Sequence, residues 1–190
     1  MDEFKAEITA CLEVLKKGGL ILYPTDGVWG IGCDATNPEA VNRIYSLKQR
    51  PDSKSMIVLL DSERRLLSYV QSVPDAAWDL IEYSEKPLTI IYDNGKNLAF
   101  NVIAQDGSVG IRITKDRFCQ HLIERFRKPL VATSANTSGQ PSPANFSNIE
   151  PAIVEGVDYV VNLRQNEQAV ASPSTIIRLK DNGEIQFIRK

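Results

Sequence analysis

The chain has 190 residues, of which 43% are hydrophobic, and 22 Lys and Arg set against 24 Asp and Glu leave a net charge of -2. That length suits one domain with a real core, and the acidic balance excludes a generally basic nucleic-acid coat, though not a local basic patch. Cys11, Cys33 and Cys119 are odd in number, widely spaced and form no C-x-x-C, so neither a disulfide framework nor a zinc site is expected.

No apolar run approaches the roughly 18–20 residues that a membrane span needs. Met1 is followed by Asp2, Glu3 and Phe4 rather than a cationic leader, so the chain is expected to be cytoplasmic, with reduced cysteines. Phe4, Ile8, Cys11, Leu12 and Leu15 then recur at helical spacing, and Gly18-Gly19 stop the helix. Leu20 to Tyr23 has the character of a short buried strand. It runs into Pro24 to Gly32, read as a loop whose three glycines do not follow the G-x-G-x-x-G spacing of a dinucleotide site. Asn37 is placed to cap a helix that begins at Pro38, carries Ala40, Val41, Ile44, Tyr45 and Leu47 inward, and ends at Pro51. Its exit, Lys48-Gln49-Arg50 with Lys54 shortly after, leads into a strand at Met56–Leu60. Cations in a last turn offset the helix dipole, but three within seven residues also suit an anion pocket.

Asp61 is expected to cap a helix through Leu66, Leu67 and Val70, and a second amphipathic helix is expected over Pro74–Tyr83. A strand at Pro87–Tyr92 is followed by a turn at Asp93-Asn94-Gly95, and residues 97–104 show no clear period. Ser108 to Ile113 alternates, with Val109, Ile111 and Ile113 on one face and Ser108, Gly110 and Arg112 on the other. The second face is poor core; it is either an exposed sheet surface or a place to hold a carboxylate or phosphate. A helix over Lys115–Arg127 follows, with His121 near its interior stripe and read as structural.

Pro129 to Pro143 begins as the buried strand Leu130-Val131-Ala132 and empties into Thr133, Ser134, Asn136, Thr137, Ser138 and Gly139. That pattern fits a solvated connection or a ligand loop at a strand end. Thr133 and Thr137 are given a structural role. Beyond it come a short helix around Pro151–Val154, a strand at Asp158–Val161, a loop from Arg164 to Ser172, and a hairpin of Pro173–Leu179 and Ile185–Arg189 turning at Asp181-Asn182-Gly183. Helices and strands interleave until the end, so the class is α/β with a mixed sheet. One histidine leaves little prospect of a His-based metal cluster, and no G-x-S-x-G elbow or phosphate loop appears. What remains is cations (Lys48, Arg50, Lys54, Arg112, Arg189) with hydroxyls and an amide, which suits positioning and charge neutralisation around an anionic small molecule.

Six motifs in register, Tyr23-Pro24-Thr25-Asp26, Lys48-Gln49-Arg50-Pro51, Pro87-Leu88-Thr89, Val109-Gly110-Ile111-Arg112, Ser134-Ala135-Asn136-x-Ser138-Gly139 and Ser174-Thr175, together resemble the YrdC/Sua5/TsaC family in its short bacterial form. The resemblance implies a YrdC/RibB-type twisted mixed sheet with flanking helices and a concave ligand-binding face. It implies one domain over residues 5–190, without the second domain of the longer Sua5 form. The implied activity is a nucleotidyltransferase, L-threonylcarbamoyl-AMP synthase, which makes the activated intermediate for t6A in tRNA from ATP, L-threonine and bicarbonate. Magnesium would come mainly on the ATP phosphates, with no protein side chain as its ligand. A tRNA contact, and a downstream threonylcarbamoyl-transferase complex that receives the product, are the further partners implied.

By position the resemblance gives Lys48 and Arg50 catalytic and phosphate-holding roles, and puts Lys54, Ser108, Asn136, Ala144 and Arg189 on ATP. Thr25, Gly27, Arg112, Ser134 and Ser174 fall on threonine. Gly27 stands where many members have threonine, and Leu59 where longer archaeal forms have histidine. Two other readings compete. An RNA-binding module without synthase activity is disfavoured by the acidic pI, because non-specific binding relies on several cations displacing counterions. A carbamoyl-transferring domain would accompany a cysteine-rich zinc region that this sequence lacks.

Overall fold

The structure is a computed structural model that describes residues 3–51, 56–168 and 172–190. Helix α1, Lys5–Lys16, buries Ile8, Cys11 and Leu15, the stripe that its spacing foretold. Strand β1, Ile21–Tyr23, follows, and then strand β2, Gly30–Gly32, lies where a loop was expected. Its two glycines give no strand signal, but packing requires one of them. A Cβ on Gly32 would sit 2.6 Å from the Tyr23 ring and 2.8 Å from the Val131 carbonyl oxygen.

Helix α2, Pro38–Leu47, starts as read: Asn37 Oδ1 accepts from the amides of Glu39 and Ala40 at 3.0 and 3.1 Å. Strand β3, Ile57–Leu60, is followed by a 3-10 turn at Glu63–Arg65 and helix α3, Leu66–Tyr69. The cap there is Ser62, not Asp61, whose carboxylate pairs instead with Arg65 at 2.8 Å. Helix α4, Asp75–Tyr83, and strand β4, Leu88–Tyr92, match their expected positions. Residues 97–104 stay irregular, with Ala99 and Val102 buried in the core.

Strand β5, Val109–Ile113, leads to helix α5, Arg117–Phe126. The helix starts two residues later than expected because Asp116 is its cap, accepting from Cys119 N at 2.9 Å. His121 is half-exposed rather than interior, with Nδ1 3.7 Å from Glu124. Strand β6, Leu130–Ser134, a 3-10 turn at Phe146–Asn148, helix α6, Pro151–Glu155, and strand β7, Tyr159–Val160, come next. The expected hairpin closes the chain as strands β8, Thr175–Leu179, and β9, Ile185–Arg189.

Among the described residues these strands form one mixed sheet in the order β7-β1-β2-β6-β3-β5-β4-β8-β9. The pairs β1/β7, β3/β5 and β4/β8 are parallel and the others antiparallel. Alternation divides the core between the two faces. Leu20, Leu22, Val58, Leu60, Val109, Ile111 and Val131 pack on the side of α2. Ile21, Tyr23, Leu59, Leu130 and Ala132 pack beneath α1 and α5 on the other. Those two helices leave part of their face uncovered, and a cleft opens there, floored by Ile57, Ala132 and Ile176.

Candidate active site

Arg112 is the centre of the cleft. It lies between Leu59 of β3 and Thr89 of β4 in the sheet register, so alternation turns it away from the core of Val109 and Ile111. Its guanidinium is nearly buried, with Nη2 3.4 Å from Asp26 Oδ1. Asp26 comes from the β1–β2 loop and is held from behind, its Oδ2 accepting from Thr114 Oγ1 at 3.2 Å and Lys115 N at 3.1 Å. Asp26 Oδ1 and Arg112 Nε have no hydrogen-bond partner among the described residues. The guanidinium is thus anchored on one edge by a charge, with donor capacity to spare.

Ser174 closes one wall. Its hydroxyl is 2.9 Å from Thr89 Oγ1, and its carbonyl accepts from Arg189 Nε and Nη2 at 3.0 and 2.8 Å. Burial, and then the neighbouring Arg112, hold the Arg189 guanidinium below its ordinary pKa. Two neighbouring guanidinium groups are suited to sharing an anion.

The exit of α2 brings the third. Gln49 takes the left-handed conformation, φ 49°, while Gln49 N donates to Ser46 O at 3.1 Å and Arg50 N to Tyr45 O at 2.9 Å. This is a Schellman turn built on a non-glycine residue. It sends the two cations apart. Arg50 borders the cleft, its pKa lowered chiefly by burial. Lys48 is fully buried beneath the loop after β6. There Nζ donates to Ser134 O and, at 2.5 Å, to Asn136 O. Burial first, and then Arg50, pull the Lys48 pKa down to about 7, against an opposing pull from Glu150.

The cleft is open to solvent and has a volume of about 170 Å³. Arg50, Arg112 and Arg189 line it with the hydroxyl residues Thr25, Thr133, Ser134, Ser142 and Ser174, and no carboxylate does among the described residues. Nor do the described residues hold any group of three or more His, Cys, Asp or Glu placed to bind a metal ion.

The Sua5/YciO/YrdC family, described as "Telomere recombination", matches residues 13–190. This chain belongs to that family. A relative from Pseudoalteromonas translucida (strain TAC 125), "Threonylcarbamoyl-AMP synthase", is 35% identical over 95% of this chain and 97% of its own length. The solved structure of P. abyssi Sua5 complexed with L-threonine superposes with a TM-score of 0.81 at 25% identity, over 90% of this chain and 50% of that one. This chain therefore spans about half the length of that Sua5 protein. E. coli YciO shares the fold, with a TM-score of 0.84 at 24% identity over 98% of this chain and 89% of its own.

Of the positions that the family resemblance picked out, Thr25, Arg50, Arg112, Ser134, Ser174 and Arg189 converge on the cleft. Lys48, given a catalytic and phosphate-holding role by the resemblance, is not in the cleft lining; its ammonium faces two backbone carbonyls. Asn136 also sits outside the cleft lining, because its Nδ2 is engaged by the carbonyls of Thr137 and Gln140 at 2.9 and 2.8 Å. Ser108 precedes Arg112 by four strand residues, about 13 Å, and its hydroxyl donates to Asp106 Oδ1 at 2.6 Å. Gly27 and Ala144 line an adjoining hollow that shares Thr25 with the cleft. Lys54 lies outside the described residues.

Sequence reasoning missed Thr89 and the role of Asp26. Asp26 stood in a recognised motif, but only the sheet places it against Arg112. Thr133, read as structural, borders the cleft, whereas Thr137 keeps that role by donating to Glu150 Oε2 at 2.6 Å.

Proposed function

We propose that this chain is an L-threonylcarbamoyl-AMP synthase, which converts ATP, L-threonine and bicarbonate to threonylcarbamoyl-adenylate, pyrophosphate and water. The observation that carries the reading is a cleft with three guanidinium groups, a rim of hydroxyls and no carboxylate among its described lining. A relative named for this activity, at 35% identity over nearly the full length, supports it.

In this proposal Arg112 pairs with the threonine carboxylate, which approaches the side of the guanidinium that Asp26 does not hold. Thr25, Ser134 and Ser174 offer hydroxyls around the rest of the amino acid. The threonine amine captures carbon dioxide, drawn from bicarbonate with loss of water, as a carbamate. A carbamate oxygen then attacks the α-phosphorus, forming the new P–O bond as the bond to pyrophosphate breaks. Arg50 and Arg189 offset charge that grows on the leaving group. Ala144, in the adjoining hollow, suits the nucleoside end, while Gly27, beside Arg112 and Thr25, stays with threonine. The chemistry asks for placement and charge, not a covalent nucleophile.

The lining hydroxyls and guanidinium groups do not fit a magnesium ion held directly by the protein. Magnesium belongs to the proposal as the counter-ion of the triphosphate, and no step is assigned to it. The product would pass to a threonylcarbamoyl-transferase complex with tRNA as the final acceptor, in the cytoplasm. The test is pyrophosphate release with ATP, bicarbonate and one amino acid at a time. Release should require threonine; equal turnover with serine, or with no amino acid, would sink the assignment.

A further inference from the structure

Lys48 is a fully buried lysine whose ammonium donates to two backbone carbonyls. Those carbonyls belong to Ser134 and Asn136, which bracket the turn out of β6. The same residue grips the loop a second time, since Lys48 O accepts from Ser138 N at 2.7 Å. Side chain and main chain of one residue thus fix both ends of a five-residue turn to the C-terminus of α2. The Schellman turn at Gln49 aims Lys48 inward while its neighbour Arg50 turns to the cleft.

On the carbonyl side the loop itself supplies one bond, from Asn136 N to Ser134 O at 2.9 Å. Ala135 N donates to Trp29 O at 2.9 Å, Asn136 Nδ2 to Thr137 O and Gln140 O, and Thr137 Oγ1 to Glu150. These bonds tie down donors and the far end of the turn. Removing the ammonium would take from Asn136 O the donor that Lys48 supplies and leave Ser134 O with the Asn136 amide, at a buried lysine.

We infer that Lys48 is a positioning residue that staples the Ser134–Ser138 turn from beneath, so that Ser134 faces the cleft, rather than a ligand of the triphosphate. This rests on the synthase reading for its substrate, but not for its geometry. A lysine needs two N–H groups to serve two carbonyls, and the neutral amine keeps both. The staple therefore does not depend on the charge that a phosphate ligand would require.

Two measurements on Lys48→Met, Lys48→Gln and Arg50→Ala separate the roles. The first is hydrogen–deuterium exchange of the amides of residues 135–140 in the free protein. The second is threonine affinity by calorimetry without nucleotide, beside ATP affinity without threonine. The staple predicts that Lys48→Met speeds exchange in the turn tenfold or more while the first two turns of α2 are unaffected, and weakens threonine binding at least tenfold. Arg50→Ala should leave threonine affinity within twofold. Lys48→Gln, uncharged but still carrying N–H donors, should keep both affinities closer to wild type than Met does, and it serves if the Met variant does not fold.

Unchanged exchange in the Met variant would overturn the inference. So would Lys48 variants that bind threonine as wild type does while losing ATP affinity as Arg50→Ala does. If the wild-type chain binds no threonine, the synthase reading fails, and the exchange measurement alone decides the staple.

Discussion

Arg112→Met tests the centre of the cleft, because it removes the guanidinium while filling much of its space. Two consequences can be separated from the geometry. Arg112 is nearly buried and its outer edge faces the cleft, so a carboxylate there would receive charge-assisted hydrogen bonds. Such bonds contribute about 1.5–3 kcal/mol, which corresponds to a threonine affinity weaker by roughly 10- to 150-fold.

The second consequence falls on Asp26, left without its cation. Breaking a fully buried pair costs about 3–5 kcal/mol, but here Thr114 Oγ1 and Lys115 N still hold Oδ2, and the pair is separated by 3.4 Å. A loss nearer ~1–2 kcal/mol is expected, a fall of a few degrees in melting temperature for a domain of this size. Adding Asp26→Asn should recover that stability, because it removes the stranded charge, without recovering affinity. The assays are calorimetric titration of threonine without nucleotide, and thermal melts of the single and double variants. A folded Arg112→Met protein with wild-type threonine affinity would refute the reasoning and remove Arg112 from the site.

Three further outcomes follow from particular contacts. Arg50→Ala should lower threonine-dependent pyrophosphate release by about 100-fold or more while the circular dichroism stays native; a drop below tenfold would count against its phosphate role. Gln49→Gly removes a side chain from a left-handed residue and should raise stability by about 0.5–1 kcal/mol, read as a higher denaturant midpoint. An unchanged or lower midpoint would show that Gln49 is not strained there. Lys48 gives a pH dependence whose sign is fixed by its lowered pKa. Between about 7 and the ordinary lysine value near 10.5 the unfolded chain holds a proton on Lys48 that the folded chain releases. Stability from this group therefore rises with pH across that window, by up to about 1.4 kcal/mol per pH unit. Burial raises the pKa of Cys11 to about 12 and also raises those of Cys33 and Cys119, and these thiols act oppositely once the unfolded thiols ionise near 8.5. The comparison is thus wild type minus Lys48→Met from pH 7 to 8.5. A difference that falls or stays flat would contradict the assignment.

Much of this molecule was legible locally. Asn37 and Pro38 started α2 where a cap and a fixed φ require, the stripe of α5 ran inward from Phe118 to Phe126, and the Asp181–Gly183 turn closed the last hairpin. The alternation of β5 put Arg112 opposite Val109 and Ile111, and so left either an exposed sheet face or an anion site before any neighbour was known. Each of these depends on a period or a turn that a few consecutive residues carry by themselves.

Other features depend on which chain segment comes alongside, and only the tertiary structure decided them. Gly30–Gly32 is a strand because β1 and β6 pair on either side of it, not because its residues favour one. Asp26 is an anchor because the β1–β2 loop ends beside Arg112, 86 positions later in the chain. Lys48 and Arg50 stand two residues apart and carry the same charge, yet one staples a loop from within and the other borders the cleft. A left-handed glutamine between them makes that difference, stabilised by carbonyls from α2 and a turn that β6 brings from nearly ninety residues away. Local sequence sets which way a side chain leaves its own element; what it meets there is set by packing.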